Sequence, residues 1–70
     1  MNTETLSVVI NGQAHQLPAG ATLVHAIDAV GIHPPFAAAV NLQFVPKTQY
    51  AQTPLQPNDS IELIAPVTGG

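Results

Sequence analysis

An α+β domain is predicted, with a mixed sheet of four or five strands covered on one face by a single main helix. Three observations lead there. Leu6, Val8 and Ile10 alternate with Thr5, Ser7 and Val9 and run straight into Asn11-Gly12, the pattern of a strand entering a tight hairpin. A good helical stripe occurs in one place, between Thr22 and Val30. A second alternating run, Ser60 to Pro66, closes the chain directly before Val67-Thr68-Gly69-Gly70.

Taken in order, the first strand ends at Ile10, and Asn11-Gly12 supplies the positive φ that a type I′ turn requires. Ala14 to Leu17 reads as the returning strand, stopped by Pro18-Ala19-Gly20. Thr22 is placed as an N-cap, although the third residue beyond it is His25 and not the Glu or Gln of a full capping box. Leu23, Ala26, Ile27 and Val30 then fall on one helical face, with His25 and Asp28 off it. Gly31 stands where a left-handed cap is wanted, Ile32 is placed for the hydrophobic contact beyond it, and Pro34-Pro35 prevents continuation.

Phe36 to Asn41 is a short apolar run of the kind that suits a strand buried on both faces. Asn41-Leu42-Gln43 reads as a turn, and Phe44-Val45 as a brief strand stopped by Pro46. Lys47 to Leu55 has no sustained period and is expected to be irregular, with room for one helical turn. Pro57-Asn58-Asp59 is a turn signal, Asn58 taking the positive φ and Asp59 accepting backbone hydrogen bonds. In the last strand Ile61, Leu63 and Ala65 face one way, Glu62 and Ile64 the other. Hairpin, helix, strand, short strand and final strand is the order of a β-grasp (ubiquitin-like) domain. There the last strand pairs parallel to the first, in the middle of the sheet. Residues 1–66 are read as that single domain and residues 67–70 as a flexible tail, since no apolar side chain after Val67 can anchor it.

Composition narrows the function. Apolar residues make up 46% of the 70, an ordinary globular share, but charged residues are only 7%, against about a quarter in a typical domain. Lys47 is the only basic residue and the formal net charge is −3, which leaves no footprint for nucleic acid. Cysteine is absent, so disulfides, thiolate metal sites and a cysteine nucleophile are excluded, and an unstapled small domain fits a reducing interior. Met1-Asn2-Thr3-Glu4 lacks the basic-then-apolar start of a signal peptide. The longest apolar run, Phe36 to Val40, is too short to span a membrane. A soluble, cytoplasmic protein without membrane or nucleic-acid partners is expected.

Few residues are arranged for chemistry. His15, His25 and His33 match no metal-ligand spacing, so no metal site is expected. Glu4, Asp28, Asp59 and Glu62 are scattered, with no visible pair for acid–base work, and Ser7 and Ser60 have no plausible base beside them, Asp59 belonging to the turn before the last strand. No glycine-rich phosphate loop is present. An enzyme in its own right is the weakest reading. The group left over is the carboxylate of Gly70. A partner that adenylates a carboxylate and then exposes its acyl carbon to a nucleophile needs the last residues to thread a narrow channel, and glycine lets a backbone approach that closely. Val67, Thr68 and Gly69 are then the threading residues, with Ile64 and Pro66 as candidate docking residues on a low-charge surface. Two bland readings stand beside these. Gly69-Gly70 can be a frayed end, and Ile64 can be a helix-covered or edge residue.

The run Ala39-Val40-Asn41-Leu42-Gln43-Phe44-Val45-Pro46-Lys47-Thr48-Gln49-Tyr50, followed by Leu55, Asn58-Asp59, Ile61-Glu62-Leu63 and Pro66-Val67-Thr68-Gly69-Gly70, closely resembles the ThiS family, the sulfur carriers of thiamine biosynthesis. The Asn-Gly hairpin and the Thr-led helix fit as well, so the resemblance covers nearly the whole chain. Two positions depart from the family pattern: Asn58 stands where glycine is usual, and Lys47 where arginine is commoner. The resemblance implies that the Gly70 carboxylate is adenylated by an E1-like, ThiF-type enzyme, with ATP and Mg²⁺ used by that enzyme and no cofactor bound by the chain. It further implies conversion to a thiocarboxylate with sulfur from a persulfide donor, and delivery to a ThiG-type thiazole synthase. Three alternatives remain open on the residues alone: the small subunit of molybdopterin synthase, a ubiquitin-like modifier that forms an isopeptide bond through Gly70, and a plain β-grasp binding module.

Overall fold

The computed structural model describes residues 5–66; Met1 to Glu4 and Val67 to Gly70 lie outside the described residues, and with them the expected tail. Five strands form one sheet: β1 (Thr5–Ile10), β2 (Gln13–Pro18), β3 (Ala37–Val40), β4 (Gln43–Val45) and β5 (Ser60–Ile64). One α-helix, α1 (Leu23–Val30), and a 3₁₀ helix (Lys47–Gln52) complete the elements. The sheet order is β2-β1-β5-β3-β4. β1 pairs parallel to β5, and the other neighbours are antiparallel. The last strand therefore lies in the centre, as the order of elements predicts.

Local chemistry shapes the first hairpin. Asn11 and Gly12 sit at φ 51° and 83°, the left-handed pair that matches the twist of the flanking strands. The register Ile10↔Gln13 through Thr5↔Pro18 follows directly. Pro18 can end β2 because that strand is at the sheet edge, where its missing N–H leaves no ladder bond unmade.

The helix begins at Thr22 as its N-cap, in extended conformation, and ends at Gly31, which caps in the left-handed region at φ 78°. His25 does the work of the missing Glu. Its Nδ1 accepts the Thr22 backbone N–H at 3.0 Å, returning a bond to the cap as a capping-box side chain does. This geometry fixes the tautomer, with Nδ1 as acceptor and any ring proton on Nε2. His25→Gln is expected to keep the helix start, whereas His25→Ala is expected to cost about 0.5–1 kcal/mol by the usual worth of a cap bond. Chemical denaturation of the two variants beside the wild type checks this; wild-type stability in His25→Ala would show that the ring contributes nothing.

α1 buries Leu23 and Ala26 against the sheet and partly buries Ile27. Val30, grouped with that stripe on sequence spacing, is 38% exposed. The chain turns away at Gly31, and Ile32 packs against the core instead, as the cap pattern anticipates. Beneath the helix lie Leu6, Val8 and Ile10 from β1, Leu17 from β2, Ala38 and Val45 from β3 and β4, and Ile61 and Leu63 from β5. Leu55 closes the cluster from the segment before β5, where its N–H donates to the Ala21 carbonyl at 2.9 Å.

The expectation that Phe36–Asn41 is buried on both faces is corrected. Only Ala38 is buried in β3, while Ala37 is exposed and Ala39 half-buried. One main helix can cover one face of a sheet, and small alanines satisfy the far face without burial. The segment after Pro46, expected to be irregular with one helical turn, forms the six-residue 3₁₀ helix, and Tyr50 from it packs partly onto the core. No described helix is long and apolar enough to cross a membrane.

Candidate functional site

β5 carries the chain from the sheet interior toward Gly70, and the bonds around it set where it can lie. At its start, Asp59 is 9% exposed and accepts the Gln56 backbone N–H at 2.8 Å, the turn role read from sequence. Its second carboxylate oxygen accepts the Asn41 side-chain amide at 2.9 Å, while the Asn41 carbonyl oxygen accepts the Ser60 N–H at 2.9 Å. Asn58, at φ 70°, takes the left-handed turn position, and its N–H donates to the Ser7 carbonyl at 2.7 Å. Among the described residues no buried side-chain nitrogen or oxygen lacks a partner.

At the other end of β5 the two faces diverge. Ile61 and Leu63 point into the core, and Ile64 lies on the opposite face, 58% exposed. The helix does not cover Ile64, and β5 is not an edge strand. The register Ala39↔Glu62 and Ala39↔Phe44 puts Phe44 on that same face, two strands away. Phe44 is 71% exposed, and Pro66 is exposed as well. The sheet face away from α1 thus carries Ile64, Phe44 and the small Ala37 and Ala39, with Glu62 as its charge on β5.

Leu42 adds to the exposed apolar residues. It sits at the β3–β4 turn with φ 70° and is 85% exposed. A branched side chain in the left-handed region costs about 1 kcal/mol, so this residue is held where neither burial nor backbone preference rewards it. Sequence reasoning places Phe44 in a strand and Leu42 in a turn but assigns neither a face, because a three-residue strand has too short a period to orient. Only the Ala39↔Phe44 pairing reveals the side.

Elsewhere the described surface offers little chemistry. A cavity of about 460 Å³ opens between α1, the loop at Pro34–Phe36 and the 3₁₀ helix, beside the stacked rings of Phe36 and Tyr50, whose centroids are 5.9 Å apart. Asp28 and Lys47 reach its lining. His15 lies on β2, His25 on α1 and His33 in the following loop, and no group of three metal-ligating side chains gathers among the described residues. Val67, Thr68, Gly69 and Gly70, the threading and reacting residues expected from sequence, fall outside the described residues. What the structure supplies for them is the root: Ala65 and Pro66, both exposed, following a strand held on both sides.

Comparison with known proteins matches the model of the ThiS family over residues 8–70, nearly the whole chain and the Gly-Gly end included. The chain belongs to the ThiS family. A crystal structure of the thiamine biosynthesis protein ThiS from Geobacter metallireducens superposes with a TM-score of 0.75 at 13% identity, covering 93% of this chain and 100% of that one. At that identity the likeness establishes the fold, and the fold is β-grasp. A thiazole synthase from Paramagnetospirillum magneticum is 32% identical over 66 residues, 93% of this chain. The chain spans 20% of the length of that curated relative.

Proposed function

We propose that this ThiS-family chain is a sulfur carrier of thiamine biosynthesis and acts as a protein co-substrate with no catalysis of its own. The observation that carries the reading is the family match through residue 70, which takes in Val67-Thr68-Gly69-Gly70 along with the folded domain. In this reading a ThiF-type adenylating enzyme uses ATP and Mg²⁺. The Gly70 carboxylate attacks the α-phosphate, expels pyrophosphate and becomes an acyl adenylate. A persulfide donor attacks the acyl carbon and expels AMP. A second thiol then cleaves the resulting acyl disulfide, leaving the thiocarboxylate on Gly70 and a disulfide on the donor side. The sulfur passes to a thiazole synthase, a partner supported by the identity with the thiazole synthase of P. magneticum.

The chain's own part is presentation. Gly69 and Gly70 carry no side chain to obstruct a channel. Ile64, Pro66 and Phe44 form the face on which the activating enzyme docks, beside the root of the threaded residues. The test is intact-mass measurement after incubation with the activating enzyme, ATP and a persulfide donor. A gain equal to exchanging one oxygen for one sulfur at Gly70 is expected, and its absence would overturn the carrier reading. An adduct carrying a second protein would identify a modifier instead.

Docking through the open face has its own check. Ile64→Asp and Phe44→Asp are each expected to raise KM for the carrier about tenfold, the effect of losing roughly 1.4 kcal/mol of contact. Both positions are exposed, so folding stability should change little. Unchanged KM in both variants would remove the open face from the interaction.

A further inference from the structure

β1 and β5 run parallel, and their ladder follows a regular rhythm: the Val9 N–H donates to the Asp59 carbonyl and the Asn11 N–H to the Ile61 carbonyl, each at 2.9 Å. In a parallel ladder the next bond would join the Leu63 N–H to the backbone carbonyl of Asn11. The backbone cannot continue it, because Asn11 turns into the hairpin at φ 51°. The Asn11 side chain takes over. Its Oδ1 accepts the Leu63 N–H at 2.9 Å and its Nδ2 donates to the Leu63 carbonyl at 3.2 Å. A carboxamide has the donor and acceptor of a peptide group, so it pairs both polar groups of Leu63 at once. The opposite side of β5 is held by β3, as far as Ala37↔Ile64.

We propose that Asn11 is a positioning residue for the carrier reaction: its carboxamide extends the β1–β5 ladder beyond the end of β1 and fixes Leu63, three residues before Pro66, as the anchor from which the reacting terminus is presented. The inference rests on the carrier reading of Gly70. Its physical content is entropic. A root that is loose must be ordered again at every encounter with the activating enzyme. Ordering even one additional residue is a roughly tenfold effect on the encounter.

The structure contains a matched control. Asn41 has the same φ of 51° and also clamps β5 through its carboxamide, but at the entry end, on Asp59 and Ser60. Asn11→Gly and Asn41→Gly both keep the left-handed turn and both remove a two-bond clamp, one beside the exit of β5 and one far from it along the strand. Steady-state pyrophosphate release by the activating enzyme, with the carrier as varied substrate, is measured alongside protection of the Leu63 amide from hydrogen exchange, at a temperature where both variants are folded. Asn11→Gly is expected to lose Leu63 protection and to raise KM about tenfold with kcat little changed. Asn41→Gly, which also strips a partner from buried Asp59, is expected to cost at least as much global stability yet leave KM near wild type. Equal KM changes in the two variants would reduce Asn11 to general stability, and wild-type KM in Asn11→Gly would overturn the proposal outright. A wild-type chain that releases no pyrophosphate would instead overturn the carrier reading, and the positioning role with it.

Discussion

Adding one alanine after Gly70 is expected to lower thiocarboxylate formation about 10²-fold or more, while leaving the thermal stability of the domain unchanged. The reasoning is geometric. One extra residue moves the terminal carboxylate by roughly 3.5 Å along an extended chain. It also puts a methyl group where the proposed channel admits only backbone. A displacement of about 1 Å at a reacting centre can already cost 10²-fold, because the gain from holding reactants in line is lost with the alignment. The buried core among the described residues runs from Leu6 to Leu63, so nothing in it is touched. Mass spectrometry of the product after a timed reaction reads the effect. Full activity of the extended variant would show that the reaction does not use the Gly70 carboxylate.

Ile61→Ala is expected to be the most damaging single change in the core, at about 2–5 kcal/mol. Ile61 is fully buried and central to the sheet, opposite Ile10 of β1 and Val40 of β3. A chain of this length has a total stability of roughly 4–10 kcal/mol. The variant should therefore be partly unfolded at ambient temperature, with a urea midpoint far below wild type. The comparison with Ile64→Ala is instructive. The same side chain three residues later is 58% exposed, and its truncation should change stability by about 0.5 kcal/mol or less. If Ile61→Ala lost under about 1 kcal/mol, the central placement of β5 would be in error.

The pair Ile61 and Ile64 also marks how far sequence reasoning reaches. Alternation from Ser60 onward separates them onto two faces, and the structure agrees. Alternation alone cannot say what lies over each face. That depends on α1, whose Leu23 and Ala26 pack on the Ile61 side, and on the absence of a second covering element among the described residues. The same gap explains the one expectation about β3 that failed, since a run of alanines and valines reads alike whether one face is covered or two.

The capping of α1 shows a different limit. Thr22 and Gly31 are legible because cap preferences are properties of single residues. The role of His25 is not, because an imidazole nitrogen accepts the cap N–H only in the right tautomer and rotamer. Asn11 is the strongest case. As half of Asn-Gly it is read locally as a turn, correctly. Its second role, holding Leu63 across 52 positions of sequence, leaves no local trace.

By itself the sequence determined the strands, the main helix, their order, and the likeness to ThiS that the family match then established. These are properties of short segments, where propensity, turn residues and period act over a few positions. The tertiary structure decided which sheet face stays open, that Phe44 shares it with Ile64, and that Asn11 and Asn41 grip the two ends of the strand leading to Gly70. Those facts arise from strand pairing between distant segments. A one-residue shift of register would turn every such side chain to the other face without changing the local pattern that specifies the strands.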